Sequence, residues 1–419
     1  MSAPLVAMVS YQSADSVSAV RLRDELRLRG FVVVHDKTSF RGGEHVASQM
    51  ADGIERCDAF LAYITPSYLY ETASPGSPRP ALDEEFIPVT RRREGEIAEA
   101  IRLRVDPKTA GPVVYAVVRN LGDPHRDAPE RVRRATGIDI SGWWAPVVDQ
   151  SAGDLSRADA ATVATEILRT VIAHHSVDLS GEGLEIAFVT RGTGQPPATV
   201  TIDATSLLGG ETRRVGRPED WESLSVGLRD VAATLAAGGS VRVIRLRAAA
   251  HVSAGILFGK VFHQAAGWRL VVAGRHGDVY SDIGEGDASD LSVVWIPGTA
   301  SSDWLSVEID MLGQPVSEMA TEWMRTTAVP PRGRFQIKLA TTEHDLESAE
   351  LAKLARAVAR EIRRRIAAER PTRVALMCAS PIDFAVLVGH RLTAMWCVLE
   401  LLERGDQGYE TVLTVPPDQ

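Results

Sequence analysis

Cysteine is scarce in this chain of 419 residues: only Cys57, Cys378 and Cys397 occur. They lie far apart, at no spacing that holds a metal, and each sits in or beside an apolar stretch. Buried thiols in a reducing compartment account for them, which argues against a disulfide scaffold and a cysteine-held metal. Long hydrophobic runs are lacking too, since no apolar stretch approaches the ~18 residues of a membrane span. The opening residues, MSAPLVAMVSYQ, carry no basic region before their short apolar run and no A-x-A cleavage site. Neither a signal peptide nor a membrane anchor is expected, and the expected location is cytoplasmic. Nor is there an excess of positive charge. A net charge of −9 argues against a general DNA or membrane coat, while leaving room for a local basic pocket.

What is present is the composition of a globular protein, 45% hydrophobic and 24% charged. The length predicts two or three domains, each able to bury a core. In the first half, short apolar runs alternate with amphipathic stretches. Strands are expected at Leu5 to Tyr11, Phe31 to Val34, Ala59 to Ile64 and Val113 to Val118. Helices are expected at Ser16 to Arg29, with Val17, Val20, Leu22 and Leu26 inward, at about Val46 to Arg56, at Arg91 to Glu99, and at Ser156 to His175. Gly30 suits the end of the first helix. Strand and helix alternating at this pace predict an α/β, flavodoxin-like parallel sheet.

The segment Ile64 to Phe86, ITPSYLYETASPGSPRPALDEEF, organises this half. A buried strand ends, prolines keep the next stretch irregular, and Asp83, Glu84 and Glu85 open a helix whose macrodipole favours acids. In an open α/β sheet, ligands bind beyond the carboxyl ends of the strands, so a carboxylate just past such a loop is placed to meet one.

At these residues the chain resembles the TIR domain, over roughly residues 4 to 175. VAMVSYQSAD is similar to the family's first box. HDKTSFRGGEHV is similar to its second box and BB loop, and ITPSYLYE followed by DEEF to its Ser-x-x-Tyr segment and glutamate-bearing helix. Ala81-Leu82 stand where the family often has Trp-Cys. The resemblance implies an NAD+ glycohydrolase whose catalytic glutamate is Glu84 or Glu85; register does not separate the two. A nearby anion would stabilise the oxocarbenium-like ribose left when nicotinamide departs. Around it the resemblance places Ser10, Tyr11, Gln12, Asp36, Lys37, Phe40 and Arg41 as NAD+-binding residues. Gly42 and Gly43 would form the assembly loop. Phe40 can stack on a flat ring and Arg41 can meet phosphate.

After a polar linker at 176–183, strands are expected at Leu184 to Thr190 and Ala198 to Ile202, and a helix from about Val226 to Ala237. In SVRVIRLRAA, apolar Val241, Val243 and Leu246 interleave with Arg242, Arg245 and Arg247. Two segments then share a plan, Ser253 to Gly274 and Pro381 to Leu402. Each follows a strand and carries an apolar helix ending in glycine and a basic residue, Gly259-Lys260 or Gly389-His390-Arg391. Each enters the next strand through tryptophan, Trp268 or Trp396, expected as core anchors. A glycine inside a helix costs about 1 kcal/mol relative to alanine, so it signals close approach of another backbone. Two Rossmann-like halves related by a pseudo-twofold, with their helix starts paired, are predicted.

That plan, with FQIKLATTEHD and LAKLARAVAREIRRRIA between the halves, resembles the SAVED domain, over residues 184 to 419. RVALMCASPIDFAVLVGHRLT carries the likeness best. SAVED domains resemble two fused CARF halves and bind cyclic oligonucleotides made upon phage infection. The resemblance implies a TIR domain at 1–175 and a SAVED sensor at 184–419. Its cyclic-nucleotide-binding candidates are Arg245, Arg247, His251, Lys260, Ser380 and Arg391, because helix starts and nearby cations receive phosphates. Such an effector of cyclic-oligonucleotide-based antiphage signalling (CBASS) would self-associate on binding its second messenger and deplete NAD+ in abortive infection. NAD+ would be a substrate, with no cofactor and no metal required. A non-catalytic TIR signalling scaffold is the alternative.

Overall fold

Ala59–Ile64 reads AFLAYI, and every one of its residues is buried. A strand that is apolar on both faces belongs in the middle of a parallel sheet covered on both sides. In the structure, a computed structural model, it does. The described residues are 3–35, 53–69, 112–122, 126–136, 138–141, 143, 153–174, 183–192, 198–209, 215–238, 242–282, 291–298, 302–339 and 346–418. They fall into two units, Met1–Asp178 and Leu179–Gln419.

In the first unit, β1 (Val6–Ser10), β2 (Val32–His35), β3 (Ala59–Ile64) and β4 (Val113–Val118) form a sheet in the order β2-β1-β3-β4. All its pairings are parallel. Phe60, Ala62 and Ile64 of β3 and Val114, Ala116 and Val118 of β4 alternate onto one face. There they pack with Tyr68 and Leu69 of the short helix α2 (Pro66–Leu69) and with Ala128 and Val132 of α3 (Asp127–Thr136).

Helices α1 (Ser16–Leu28) and α4 (Arg157–His174) are joined by polar contacts. Arg29 donates to Thr165 at 2.6 Å and pairs with Glu25 at 2.6 Å, both side chains being almost fully buried. Burial lifts the Glu25 carboxyl above its usual range even with Arg29 and Arg157 beside it. Gly30, at φ 95°, takes the left-handed turn that ends α1.

Two details differ from the sequence reading. The buried face of α1 is Ser18, Ala19, Leu22, Glu25, Leu26 and Leu28, while Val17 is exposed and Val20 half-buried. The buried Glu25–Arg29 pair turns the helix toward a stripe that hydropathy does not mark. Helix α3 was not anticipated: among its described residues Ala128 and Val132, one turn apart, join the core cluster, and the remainder is largely charged. The helices expected at Val46 to Arg56 and Arg91 to Glu99 lie wholly or mostly outside the described residues; 53–56 is helical.

The second unit contains the same half-fold twice. The first copy comprises β5 (Leu184–Val189), β6 (Val200–Asp203), β7 (Val243–Ala249), β8 (Arg269–Gly274) and β9 (Gly277–Tyr280), in the order β6-β5-β7-β8-β9. The second follows the edge strand β10 (Leu291–Pro297). It comprises β11 (Trp304–Asp310), β12 (Gly333–Leu339), β13 (Arg373–Ala379), β14 (Val398–Gly405) and β15 (Gly408–Val415), in the order β10-β12-β11-β13-β14-β15. With β10 set aside, the two orders coincide, and in both only the last strand of the copy pairs antiparallel.

Helices occupy matching places. After the short α5 (Thr205–Leu208), α6 (Pro218–Ala237) corresponds to α9 (Ser348–Glu369), and α7 (Val252–Val261) corresponds to α10 (Ile382–Arg391). Helix α8 (Val316–Thr326) lies between β11 and β12 in sequence. Along β7 the alternation buries Ile244 and Leu246, so Ile244 and not Val243 shares the face of Leu246.

Candidate functional site

The two halves meet on α7 and α10, and glycine decides how closely. A Cβ added at Gly259 would stand 2.0 Å from the carbonyl oxygen of Val386. One added at Gly389 would stand 2.1 Å from that of Ile256. Each helix thus presses a glycine onto the other's backbone, as the glycines inside two apolar helices predicted. Gly255, in the first turn of α7, faces Ile382, the first residue of α10, so the two starts lie side by side. At the far ends, His390 Nδ1 donates to the carbonyl of Phe262 at 2.5 Å. These starts follow the carboxyl ends of β7 and β13, where an open α/β sheet receives ligands.

Polar residues gather around the starts. The Thr190 hydroxyl bonds both the backbone N–H and the ring Nδ1 of His251, at 2.8 and 2.7 Å. Burial and the nearby Arg191 push the His251 pKa down to about 4, so its ring is neutral near pH 7. It offers hydrogen bonds and no charge. Arg191 is exposed and supplies the positive field here, acting on both His251 and Glu403. In the other half, buried Ser380 bonds the carbonyl of Pro381 at 3.1 Å and receives the Cys378 thiol at 3.3 Å. Burial holds that thiol up at about 12, so it is no nucleophile.

Of the six sensor candidates, the structure sets two at the helix starts, His251 and Ser380. Lys260 lies at the opposite end of α7, buried, held by the Asp418 carboxylate at 2.8 Å and the Leu392 carbonyl at 3.2 Å. Arg391 ends α10, where it donates to Gln264 and to the Ser281 carbonyl. Arg245 and Arg247 project from β7 toward Asp278 and Glu185, at 3.3 and 3.6 Å. A basic residue after a helical glycine stands at the helix end, the wrong end for a phosphate. Arg191, beside His251, was not among the candidates. Its only sequence signal was its place after a strand, next to Gly192 at φ 77°.

In the first unit, the carboxyl ends of β1 and β3 are tied together. The Ser10 and Tyr68 hydroxyls bond at 2.9 Å, and Thr65 donates to Asp15 at 2.7 Å. Tyr11 is buried and Gln12 half-buried at the same edge. Asp36, Lys37, Phe40, Arg41, Gly42, Gly43, Glu84 and Glu85 lie outside the described residues. Among the described residues no cluster of metal-ligating side chains occurs, and no helix is long and apolar enough to cross a membrane. A cavity of about 510 Å³ bordered by Trp304, Val329 and Arg373 sits where β11 and β13 begin, the opposite end from the helix starts.

A family model described as TIR domain matches residues 8–150. A second, SAVED, described as SMODS-associated and fused to various effectors sensor domain, matches residues 227–415. Among curated proteins none matches. Solved structures with a similar course include the Acinetobacter baumannii Cap4 SAVED/CARF-domain containing receptor with the cyclic trinucleotide 3′3′3′-cAAA. It is 14% identical, with 97% of this chain and 99% of that one covered and a TM-score of 0.48. The Moraxella osloensis Cap4 receptor is 12% identical, with 96% and 98% covered and a TM-score of 0.45. Likeness this distant identifies no ligand. The two family matches, one on each unit, do identify the parts: the chain is a TIR domain joined to a SAVED sensor domain.

Proposed function

We propose that this protein is an antiphage effector in which a cyclic oligonucleotide, bound by the SAVED domain, switches on cleavage of NAD+ by the TIR domain. The observation that carries the reading is the glycine-packed pair α7 and α10. It sets two helix starts side by side in a doubled half-fold. A cyclic phosphodiester repeats its phosphates around a ring, and repeated helix starts are their natural receivers. Ser380 and neutral His251 would supply hydrogen bonds there, and Arg191 charge.

On the TIR side, Glu84 or Glu85 would steady the developing positive ribose while the bond to nicotinamide breaks. Water then takes the ribose carbon, leaving nicotinamide and ADP-ribose; closure to a cyclic form is the other outlet. Ser10 ends β1, Tyr11 and Gln12 follow it, and all three would border the NAD+ cleft together with Asp36, Lys37, Phe40 and Arg41. Ligand-driven self-association through the Gly42-Gly43 loop would couple sensor to enzyme.

The test is nicotinamide release from NAD+ by the purified chain, alone and with cyclic di-, tri- and tetranucleotides. Release with one ring and silence without it is expected. The double variant Glu84→Gln, Glu85→Gln should bind that ring unchanged and release at least a hundredfold less nicotinamide. Turnover persisting in the double variant would move the active site elsewhere. Ring binding without any turnover by the unaltered chain would leave the TIR domain a scaffold.

A further inference from the structure

Three of the nine large apolar side chains that stand exposed among the described residues, Val293, Val294 and Ile296, belong to one strand. That strand is β10, LSVVWIP, the edge that the second half has and the first half lacks. Successive side chains alternate between the faces of a sheet, so Val293 lies on one face and Val294 and Ile296 on the other. Trp295 is partly covered, by the Arg365 guanidinium 4.4 Å from its ring.

No strand among the described residues pairs with the outer side of β10. Two features set the phase of its backbone groups. Pro297, which has no N–H, stands opposite Gly333, and beside it Gly298 donates to the Arg332 carbonyl at 2.7 Å. Bonded and non-bonded opposites alternate in an antiparallel ladder, so Ser292, Val294 and Ile296 bond inward to β12. Leu291, Val293 and Trp295 therefore turn N–H and C=O outward, and Pro297 turns out its C=O.

Such an edge is a template for another strand, and folded proteins blunt it with charge, shortness or proline. The other edges of this unit are blunted. Strands β6 and β9 have four residues each and carry Asp203 and Asp278, and β15 carries Glu410. Across its seven residues β10 has no charge, and its one proline is at the far end. An antiparallel copy of the same strand, centred on Val294, fits it. All seven residues overlap, Val293 of one copy stands opposite Trp295 of the other, the outward groups of both meet, and no like charges are opposed. A charged peptide would find no partner charge along the strand.

We propose that β10 is the docking edge for a second copy of this chain, the two β10 strands pairing antiparallel about Val294 so that two six-stranded sheets become one. Seven residues a side fall short of the ~20–30 of a standard interface, so the pairing is reversible, micromolar or weaker. It requires neither the cyclic ligand nor NAD+.

Sedimentation of the full-length chain from micromolar to submillimolar concentration should show a monomer–dimer equilibrium. Val293→Pro removes an outward N–H and no inward bond, so the dimer should weaken at least about tenfold while thermal melting changes little. Val294→Lys, which sets two cations face to face, should do the same and serves if the proline variant fails to fold. Val294→Cys brings two thiols to a non-bonded pair whose Cα atoms would stand ~4.5 Å apart, within disulfide reach. Mild oxidation should then give a covalent dimer. Val293→Cys, opposite Trp295, should give none, the three native cysteines being buried. A dimer that both Val293→Pro and Val294→Lys leave unchanged overturns the proposal, since another surface then holds it. A monomer at every concentration, with no cross-link from Val294→Cys, also overturns it and leaves the edge for a strand of another protein.

Discussion

The two halves of the SAVED unit share strand order and helix placement, yet their equivalent side chains do different work. Gly259 and Gly389 make the same backbone contact from opposite sides. The next residues diverge. Lys260 is held by the Asp418 carboxylate, whereas His390 is neutral and donates to Phe262. Trp268 is 3% exposed, edge-on to Phe262 at 5.2 Å and under the Arg242 guanidinium, whereas Trp396 is 57% exposed. One helix start is closed by an acid from the other half, while the other keeps an acid of its own. Backbone meeting backbone at a shared axis admits only glycine on either side. Away from the axis each half has its own sequence, so a fused pair can hold an unequal site that two identical copies could not.

The comparison breaks most visibly at the axis. Gly389→Val or Gly259→Val drives a side chain into a carbonyl, and about 3 kcal/mol or more should be lost. Thermal melting of the second unit would read this, and a melt within a degree of the unaltered protein would sink the packing argument. Gly255→Ala sharpens the point. Its added Cβ is crowded by the flexible tip of Ile382, at 2.5 Å, and meets Val386 and Ala385 at ordinary contact distance, so a cost of about 1 kcal/mol or less is expected.

Next come the tryptophans. Trp268→Ala should cost about 3–5 kcal/mol and Trp396→Ala under about 0.5 kcal/mol, by chemical denaturation. Equal costs would mean that the second tryptophan is covered after all.

A further comparison concerns pH. Burial pushes His251 and His390 down to about 4 from an ordinary value near 6.5. A base lowered on folding leaves stability intact above pH 6.5 and removes it as pH falls toward 4, on the order of 3 kcal/mol for each group. Burial holds Glu403 and Asp383 above the usual carboxylate range, which adds stability on acidification and offsets part of the loss. His390→Gln should therefore melt lower at pH 7 but lose less between pH 6.5 and 4.5. An unchanged slope would show that the imidazole is not held neutral.

Much of the fold was legible because burial on both faces writes an unbroken apolar run. Strands β3 and β4 have the predicted limits, and α4 spans Arg157–His174 within the predicted Ser156 to His175. What was not legible has definite causes. A buried ion pair, Glu25 with Arg29, looks polar in sequence and turned α1 away from Val17. Tryptophan reads as core wherever it stands, but Trp396 is followed by a strand that leaves it outside. Basic residues read as phosphate ligands until their partners are known. Lys260, Arg245, Arg247 and Arg391 are engaged elsewhere, while His251 is a cation only on paper. The TIR acids, Glu84 and Glu85, rest on sequence resemblance alone.

By itself, then, the sequence determined the two domain types, the parallel order of the first sheet and the closeness of two glycine-bearing helices. Each of these is encoded locally, in apolar runs, turn residues and a missing Cβ. Only the tertiary structure decided which groups stand at the helix starts. Glu403 reaches Ser253 from 150 positions away. Arg191 and His251 are brought together by parallel pairing of β5 with β7. Charge and hydrogen bonding act across space and not along the chain, so no local pattern records them.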